Sequence, residues 1–292
     1  MDEGVIRSCL VDPARPCDFE SLGSFEDRSG KVGPVSVLRC RRCGVGLSMP
    51  PLPNVAFLYE GRQSQDFQPD ARGLAHRIKQ IAFRRQARAL LRQLATRPVR
   101  VLDFGCGSGQ FTRCLGDVLP DSTVIGSDFH EQPPVDLTDR FYLSQSQLGQ
   151  QQGAFDLVLA MHVLEHDDDP AALLTHIVEM AGPGGTIVIE VPNIDCIWTR
   201  LLGRYWDAWY VPFHRSHFSR RGLRALVERE GLQIVSEHAM CLPTMGRSLA
   251  NLLQRRNGLA FLLAGVALHP LQWALEKLTR RPSAIRLVLR RT

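Results

Sequence analysis

An apolar run that ends in an acid and is followed by three alternate glycines leaves a backbone few options, and residues 101–110, VLDFGCGSGQ, form such a run. Val99, Val101, Leu102 and Phe104 suit a buried strand. Gly105, Gly107 and Gly109 mark a turn too sharp, or too closely approached, to carry side chains. A helix is predicted over 110–118, then STVIGSD, a weak RFYLSQS and FDLVLAM as strands, a helix over 170–180, and TIVIEV as a strand. Asp169 can cap that second helix, Pro170 takes its first position, and AGPGG stops it. Such alternation predicts a doubly wound α/β fold with a mostly parallel sheet. Farther on, SRRGLRALVEREG reads as a helix closed by Gly231, and LQIVSEHAM and AIRLVLRR read as strands.

With 292 residues, 44% of them hydrophobic, the chain can bury one main α/β core and still carry a small extra module. The expected division is a cysteine-bearing module over 1–60, a connecting segment over 61–97 with an amphipathic helix from Gly73 to Thr96, and the main domain over 98–292. An apolar insertion, 246–279, precedes the last strand. A net charge of +5 is too mild to announce a nucleic-acid protein. The opening MDEGVIRSCLVDPARP lacks the apolar core of a secretory leader, so the expected compartment is the cytosol. There cysteines stay reduced, and Cys9, Cys17, Cys40 and Cys43 suggest a metal. Cys40 and Cys43 form a CxxC knuckle of the kind that wraps zinc, although the gap from Cys9 to Cys17 is wider than usual. Buried apolar thiols are the alternative.

The spacing Gly105-x-Gly107-x-Gly109 is followed by Gln110, where a dinucleotide fold would want its later glycine. Asp128 ends VIGSD 19 residues after Gly109, a position from which a carboxylate accepts bonds from a ribose diol. Asp103 adds a second acid beside the turn. Two acids repel a pyrophosphate and favour a cationic nucleoside.

The segments VLDFGCGSG, VIGSD, FDLVLAMHVLEHDDDP, GPGGTIVIEVPN and VPFHRSHFSRRGLRALVEREGLQIV, in this order, resemble the class I S-adenosylmethionine-dependent methyltransferases. The resemblance implies a seven-stranded, Rossmann-like sheet with an antiparallel last strand. It also implies that Gly105, Cys106, Gly107 and Gly109 pack on the methionine part of the cofactor, with Asp103 near its amino group. Asp128 would hold the ribose hydroxyls and Met161 would flank the cofactor; the adenine contact stays unassigned. The front of the chain is similar to the zinc-ribbon module of some methyltransferases acting on sugars and small metabolites.

Three histidines are candidates for the chemistry. His162 and His166 lie four apart around Glu165 and would share a face on a helical turn. That trio could hold a divalent cation, or one imidazole could take a proton from an acceptor hydroxyl. The matching segment of quinone-biosynthesis O-methyltransferases, which this resembles, carries acidic residues and a histidine implied to bind metal; His162 replaces one of the acids. His214, with His217, follows the aromatic run Tyr205, Trp206, Trp209, Tyr210 and Phe213, which either walls a substrate pocket or belongs to the core. Ala160, Met161 and His162 stand where methyltransferases of base amino groups often place Asn or Asp followed by Pro-Pro, which disfavours exocyclic amines. The expected activity is therefore methyl transfer to a small molecule, at oxygen, of a sugar or lipid-linked type. An RNA methyltransferase with a zinc-ribbon front and a noncatalytic partner subunit are the alternatives.

The insertion, GLAFLLAGVALHPLQWALEKL, is expected to break at His269 and Pro270 into a helical pair, too short to span a bilayer. Arginines on both sides suit a lid, a packed pair, or peripheral contact of 246–281 with an anionic membrane.

Overall fold

The computed structural model describes residues 9, 14–52, 54–61 and 73–291. Most of the opening segment read for a leader, Pro53 and residues 62–72 of the connecting segment lie outside the described residues. The chain runs β1 (Phe19–Phe25), β2 (Val35–Cys40), β3 (Gly46–Met49), α1 (Ala56–Tyr59), α2 (Leu74–Leu91), β4 (Arg100–Phe104), α3 (Gln110–Val118), β5 (Thr123–Ser127), β6 (Tyr142–Leu143) and α4 (Gln145–Leu148). It continues with β7 (Phe155–Met161), α5 (Pro170–Met180), β8 (Ala181–Pro192), α6 (Ile197–Leu201), β9 (Ser216–His217), α7 (Arg220–Arg229), β10 (Gln233–Met240), α8 (Met245–Leu252), α9 (Leu259–Thr279) and β11 (Ala284–Arg290).

Seven strands form the main sheet in the order β10-β11-β8-β7-β4-β5-β6. β11 is antiparallel to both neighbours, and the pairings of β4 through β8 are parallel. Chain order reverses at β4, which lies between β5 and β7. A crevice opens beyond the carboxyl ends of strands at such a switch point, so the glycine turn after β4 is placed to receive a ligand. Val101, Leu102, Leu157, Val158, Val188 and Ile189 of β4, β7 and β8 are fully buried, the apolar filling expected of a sheet covered on both faces.

The front of the chain does not stand alone. β1, β2 and β3 form an antiparallel meander, and β9 adds a fourth strand to it through Gly46 and His217. A Cβ on Gly46 would sit 3.0 Å from that of His217, a tight contact that a larger residue would relieve only by a small shift of β9. Cys9, Cys40, Cys43 and Val45 share a core with Phe218, Leu223 and the strands of the main sheet. Two residues are too few to show the alternation that marks a strand, which is why β9 left no signal in the sequence.

AGPGG does stop α5, which ends at Met180, and is itself the start of β8. One of the two readings of the aromatic run holds, and the expected break in the insertion is corrected. The aromatic run is core: Trp206, Trp209 and Phe213 are buried, the two tryptophans among Phe25, Val35 and Met245, and Tyr210 alone of the five borders the cavity described below. The insertion does not break at Pro270. α9 continues through it for 21 residues, and by length and composition alone it could cross a membrane. Anchors on both sides offset the missing proline N–H. Before it, Gly265 crosses Gly246 of α8 at backbone contact. After it, buried Glu276 accepts from Trp198 Nε1 at 2.6 Å, Gln272 Nε2 at 2.8 Å and the Ser283 amide at 2.9 Å.

Candidate active site and cysteine cluster

Gly105, Gly107 and Gly109 all take the left-handed region, at φ 74°, 54° and 77°, which side chains other than glycine adopt at a cost. A Cβ at Gly105 would meet Val163 at 2.5 Å, and one at Gly109 would meet Leu137 at 2.4 Å. The turn thus passes under the loop after β7 and opens α3 at Gln110, whose side chain reaches the His76 carbonyl at 2.7 Å. Asp128, just beyond β5, accepts from the amides of Gly107 and Phe129, each at 2.8 Å. Burial pushes its carboxyl up, and the two amides oppose that shift. Asp103 is enclosed behind the turn. Its carboxyl is pushed up to about 7, by burial first, while Thr112 Oγ1 donates to it at 2.6 Å and the charge of Asp128 adds to the rise.

A cavity of about 510 Å³ lies against this turn. Gly105, Gly107, Asp128, Phe129, His130 and Gln145 line one part of it, and Tyr59, His162, Val163, His166 and Tyr210 another. Cys106, Gly109, Asp103 and Met161 stand outside the lining; Met161 packs against the core beside β4 and β7. Tyr59, Phe129, Gln145 and Val163 were not singled out in the sequence. Phe129 and Val163 adjoin residues that were, whereas Tyr59 sits in a four-residue helix with no periodic signal.

The structure splits the histidine trio. His162 takes φ 61°, which turns its ring between two buried carboxylates. Nδ1 lies 3.2 Å from Glu165 Oε1 and Nε2 lies 3.1 Å from Glu190 Oε1. Burial alone would lower its basicity, but the hydrogen bonds and charges of the two glutamates hold the imidazolium to about pH 10. Both nitrogens are committed as donors, so His162 has no lone pair with which to act as a base. Glu190 is held on its other side by Arg286 Nε at 2.7 Å.

His214 arrives instead beside His166, with ring centroids 4.8 Å apart. Glu165, His166 and His214 each bring a donor atom within 4.8 Å of the others, and Glu165 Oε2 is buried without a hydrogen-bond partner. His166 Nδ1 faces Tyr59 Oη at 2.8 Å and the Phe213 carbonyl at 3.1 Å. A carbonyl only accepts, so Nδ1 carries the proton and Nε2 keeps its lone pair. The same logic applies to His214, whose Nδ1 meets the Ala208 carbonyl at 2.9 Å. Burial holds both rings neutral, His214 well below the usual imidazole range, helped there by the neighbouring histidines. His217 bonds Ser48 Oγ at 2.9 Å, and burial lowers it to about 3.

In the front module, where Cys40 ends β2, Cys9, Cys17, Cys40 and Cys43 bring their sulfurs within 4.8 Å of one another. Zn–S bonds of about 2.3 Å in a tetrahedron require sulfurs about 3.8 Å apart; those of Cys9 and Cys40 are 3.9 Å apart. Burial alone would raise the Cys40 thiol, but the amides of Cys43, Arg42 and Asp18 hydrogen-bond it and hold it at about 7. Gly44, at φ 76°, closes the knuckle. The donor set fits a structural zinc held by four thiolates, despite the wide first gap.

Residues 74–237, more than half of the chain, match the family model described as a methyltransferase domain. Over 103 residues the chain is 28% identical to a ubiquinone biosynthesis O-methyltransferase of Xanthomonas campestris, covering 32% of this chain and 43% of that protein. Over 122 residues it is 31% identical to a trans-aconitate 2-methyltransferase of Deinococcus radiodurans, covering 40% and 47%. The chain spans less than half the length of these curated relatives. A crystal structure of 1,6-didemethyltoxoflavin-N1-methyltransferase from Burkholderia thailandensis, with its substrate and S-adenosylhomocysteine bound, shares the fold. Its TM-score is 0.51 at 17% identity, covering 85% of this chain and 96% of that one.

Proposed function

Because the chain belongs to the methyltransferase domain family, we propose that it transfers a methyl group from S-adenosylmethionine to a hydroxyl oxygen of a small molecule. The observation that carries this reading is a neutral, lone-pair imidazole, His166, in the wall of the cavity that also contains the glycine turn and Asp128. When bound, S-adenosylmethionine supplies a methyl group already activated on a sulfonium. Gly105 and Gly107 give it a surface without side chains, and Asp128 offers carboxylate lone pairs to the ribose diol. Phe129 and Gln145 border the region left for the adenine ring. His166 Nε2 takes the proton from the acceptor hydroxyl as the oxygen becomes the nucleophile. The Glu165 carboxylate favours the imidazolium as it forms, and His214 packs edge-on against the ring and steadies it. Tyr59 and Tyr210 narrow the entrance and exclude water. Cys9, Cys17, Cys40 and Cys43 would hold a structural zinc, which would brace the front sheet that carries β9 and take no part in the transfer.

Titration calorimetry tests the cofactor half: S-adenosylhomocysteine is expected to bind, Asp128→Ala to weaken it at least about tenfold, and a nicotinamide dinucleotide not to bind. Labelled S-adenosylmethionine incubated with a lysate, followed by identification of the labelled product, tests the acceptor half. A labelled RNA, or no labelled product at all, would replace this reading with one of its alternatives.

A further inference from the structure

α9 has two unlike faces. One is held to the protein by Gly265, Gln272 and Glu276, all buried. The other carries Leu259, Leu263, Val266, Leu271, Trp273 and Leu278, each at least half exposed or nearly so, with Leu278 at 82%. Their spacing keeps to one side of the helix over its whole length, about 30 Å at 1.5 Å per residue. A soluble chain rarely leaves so long an apolar stripe in water without a use.

The charge around the stripe indicates what covers it. Residues 245–281 contain Arg247, Arg255, Arg256, Lys277, Arg280 and Arg281 against one acid, Glu276, which is buried and fully engaged. Lys277 lies over the Trp273 ring, 4.9 Å from its centroid. A second cavity, about 960 Å³, adjoins the carboxyl half of α9, where Arg200, Lys277, Arg280 and Arg281 line it; its acids Asp195 and Glu237 are already paired with Arg39 and Arg224.

We infer that α9 is a docking surface for an anionic bilayer, lying in the plane of the interface. Its apolar stripe enters the boundary between headgroups and acyl chains, and the flanking cations meet lipid phosphates. The helix lies along the membrane rather than across it, because crossing would strip Gln272 and Glu276 from their buried partners. A second copy of the chain is a poorer occupant, since a symmetric contact would bring two cation-rich rims together. This inference concerns a surface away from the candidate active site and is read without any turnover.

Flotation of the full chain with vesicles decides it. Binding is expected to vesicles of equal parts phosphatidylcholine and phosphatidylglycerol, and not to phosphatidylcholine alone. The double variant Leu263→Glu/Val266→Glu should abolish it, and Arg255→Gln/Arg256→Gln should weaken it roughly tenfold. Unchanged circular dichroism and unchanged S-adenosylhomocysteine binding would show that the variants fold. Absence of binding to the mixed vesicles, equal binding to both kinds, or full binding by the leucine–valine variant would each overturn the inference. So would a dimer in sedimentation equilibrium that the same variant dissociates.

Discussion

At the scale of single residues, the loop after β7 assigns opposite charge states to two histidines four positions apart. His166 is half-buried and held neutral, whereas His162 is an imidazolium between Glu165 and Glu190. Replacing His166 with alanine should lower kcat by about 10²–10⁴-fold and leave S-adenosylhomocysteine affinity unchanged. The acid limb of its kcat/KM profile should lie below pH 6.5, because protonation removes the lone pair. His162→Ala, by contrast, leaves two buried carboxylates facing each other. We expect it to cost about 2 kcal/mol or more of stability, read as a lowered urea midpoint, since its partly exposed ring lets water take some of the load. The sequence placed His162, Glu165 and His166 at the carboxyl edge of the sheet, beside the glycines, Asp103 and Asp128, and gave no sign of Glu190. It could not show that a left-handed φ at one position would send neighbouring rings in different directions, because a single αL residue leaves no periodic trace.

Among the elements, the two-residue strand β9 carries weight out of proportion to its length. Arg215, just before it, is fully buried and donates to Asp168 Oδ2 at 3.2 Å and to the Ser48 carbonyl at 2.9 Å, and also to the Pro50 carbonyl. Its own amide donates to the Glu165 carbonyl at 2.6 Å. One guanidinium thus links the front sheet, the loop after β3 and the candidate active-site loop. Arg215→Ala takes the guanidinium from Asp168, which keeps the Leu52 amide at 3.1 Å, and from two carbonyls, and should cost roughly 3 kcal/mol in denaturant unfolding. The helices α3 and α5 matched their predicted spans to the residue because glycine, aspartate and proline punctuate them. β9 and the unbroken α9 were not legible, since each depends on partners remote in sequence.

For the molecule as a whole, buried histidines make stability a function of pH on both sides of neutrality. Below pH 6.5 the unfolded chain binds protons that folded His214 and His217 refuse, so stability falls as pH falls. Above pH 6.5 the unfolded chain releases a proton that folded His162 keeps, so its contribution declines until about pH 10. Urea midpoints measured across this range should therefore fall on the acid side, and the His162→Ala variant should lose the decline on the alkaline side. Metal analysis should find one zinc per chain, and its removal by a chelator should loosen the sheet that holds β9.

The strand that completes the front sheet is encoded far downstream: Ser48 meets His217 across 169 residues. On a ribosome, the cysteine end is made before β9, and it must wait for its last strand until β4 through β8 of the main sheet have emerged. Assembly order is thereby written into the topology, and a chain truncated before residue 216 would leave an open, pairing-competent edge beside the four-cysteine cluster.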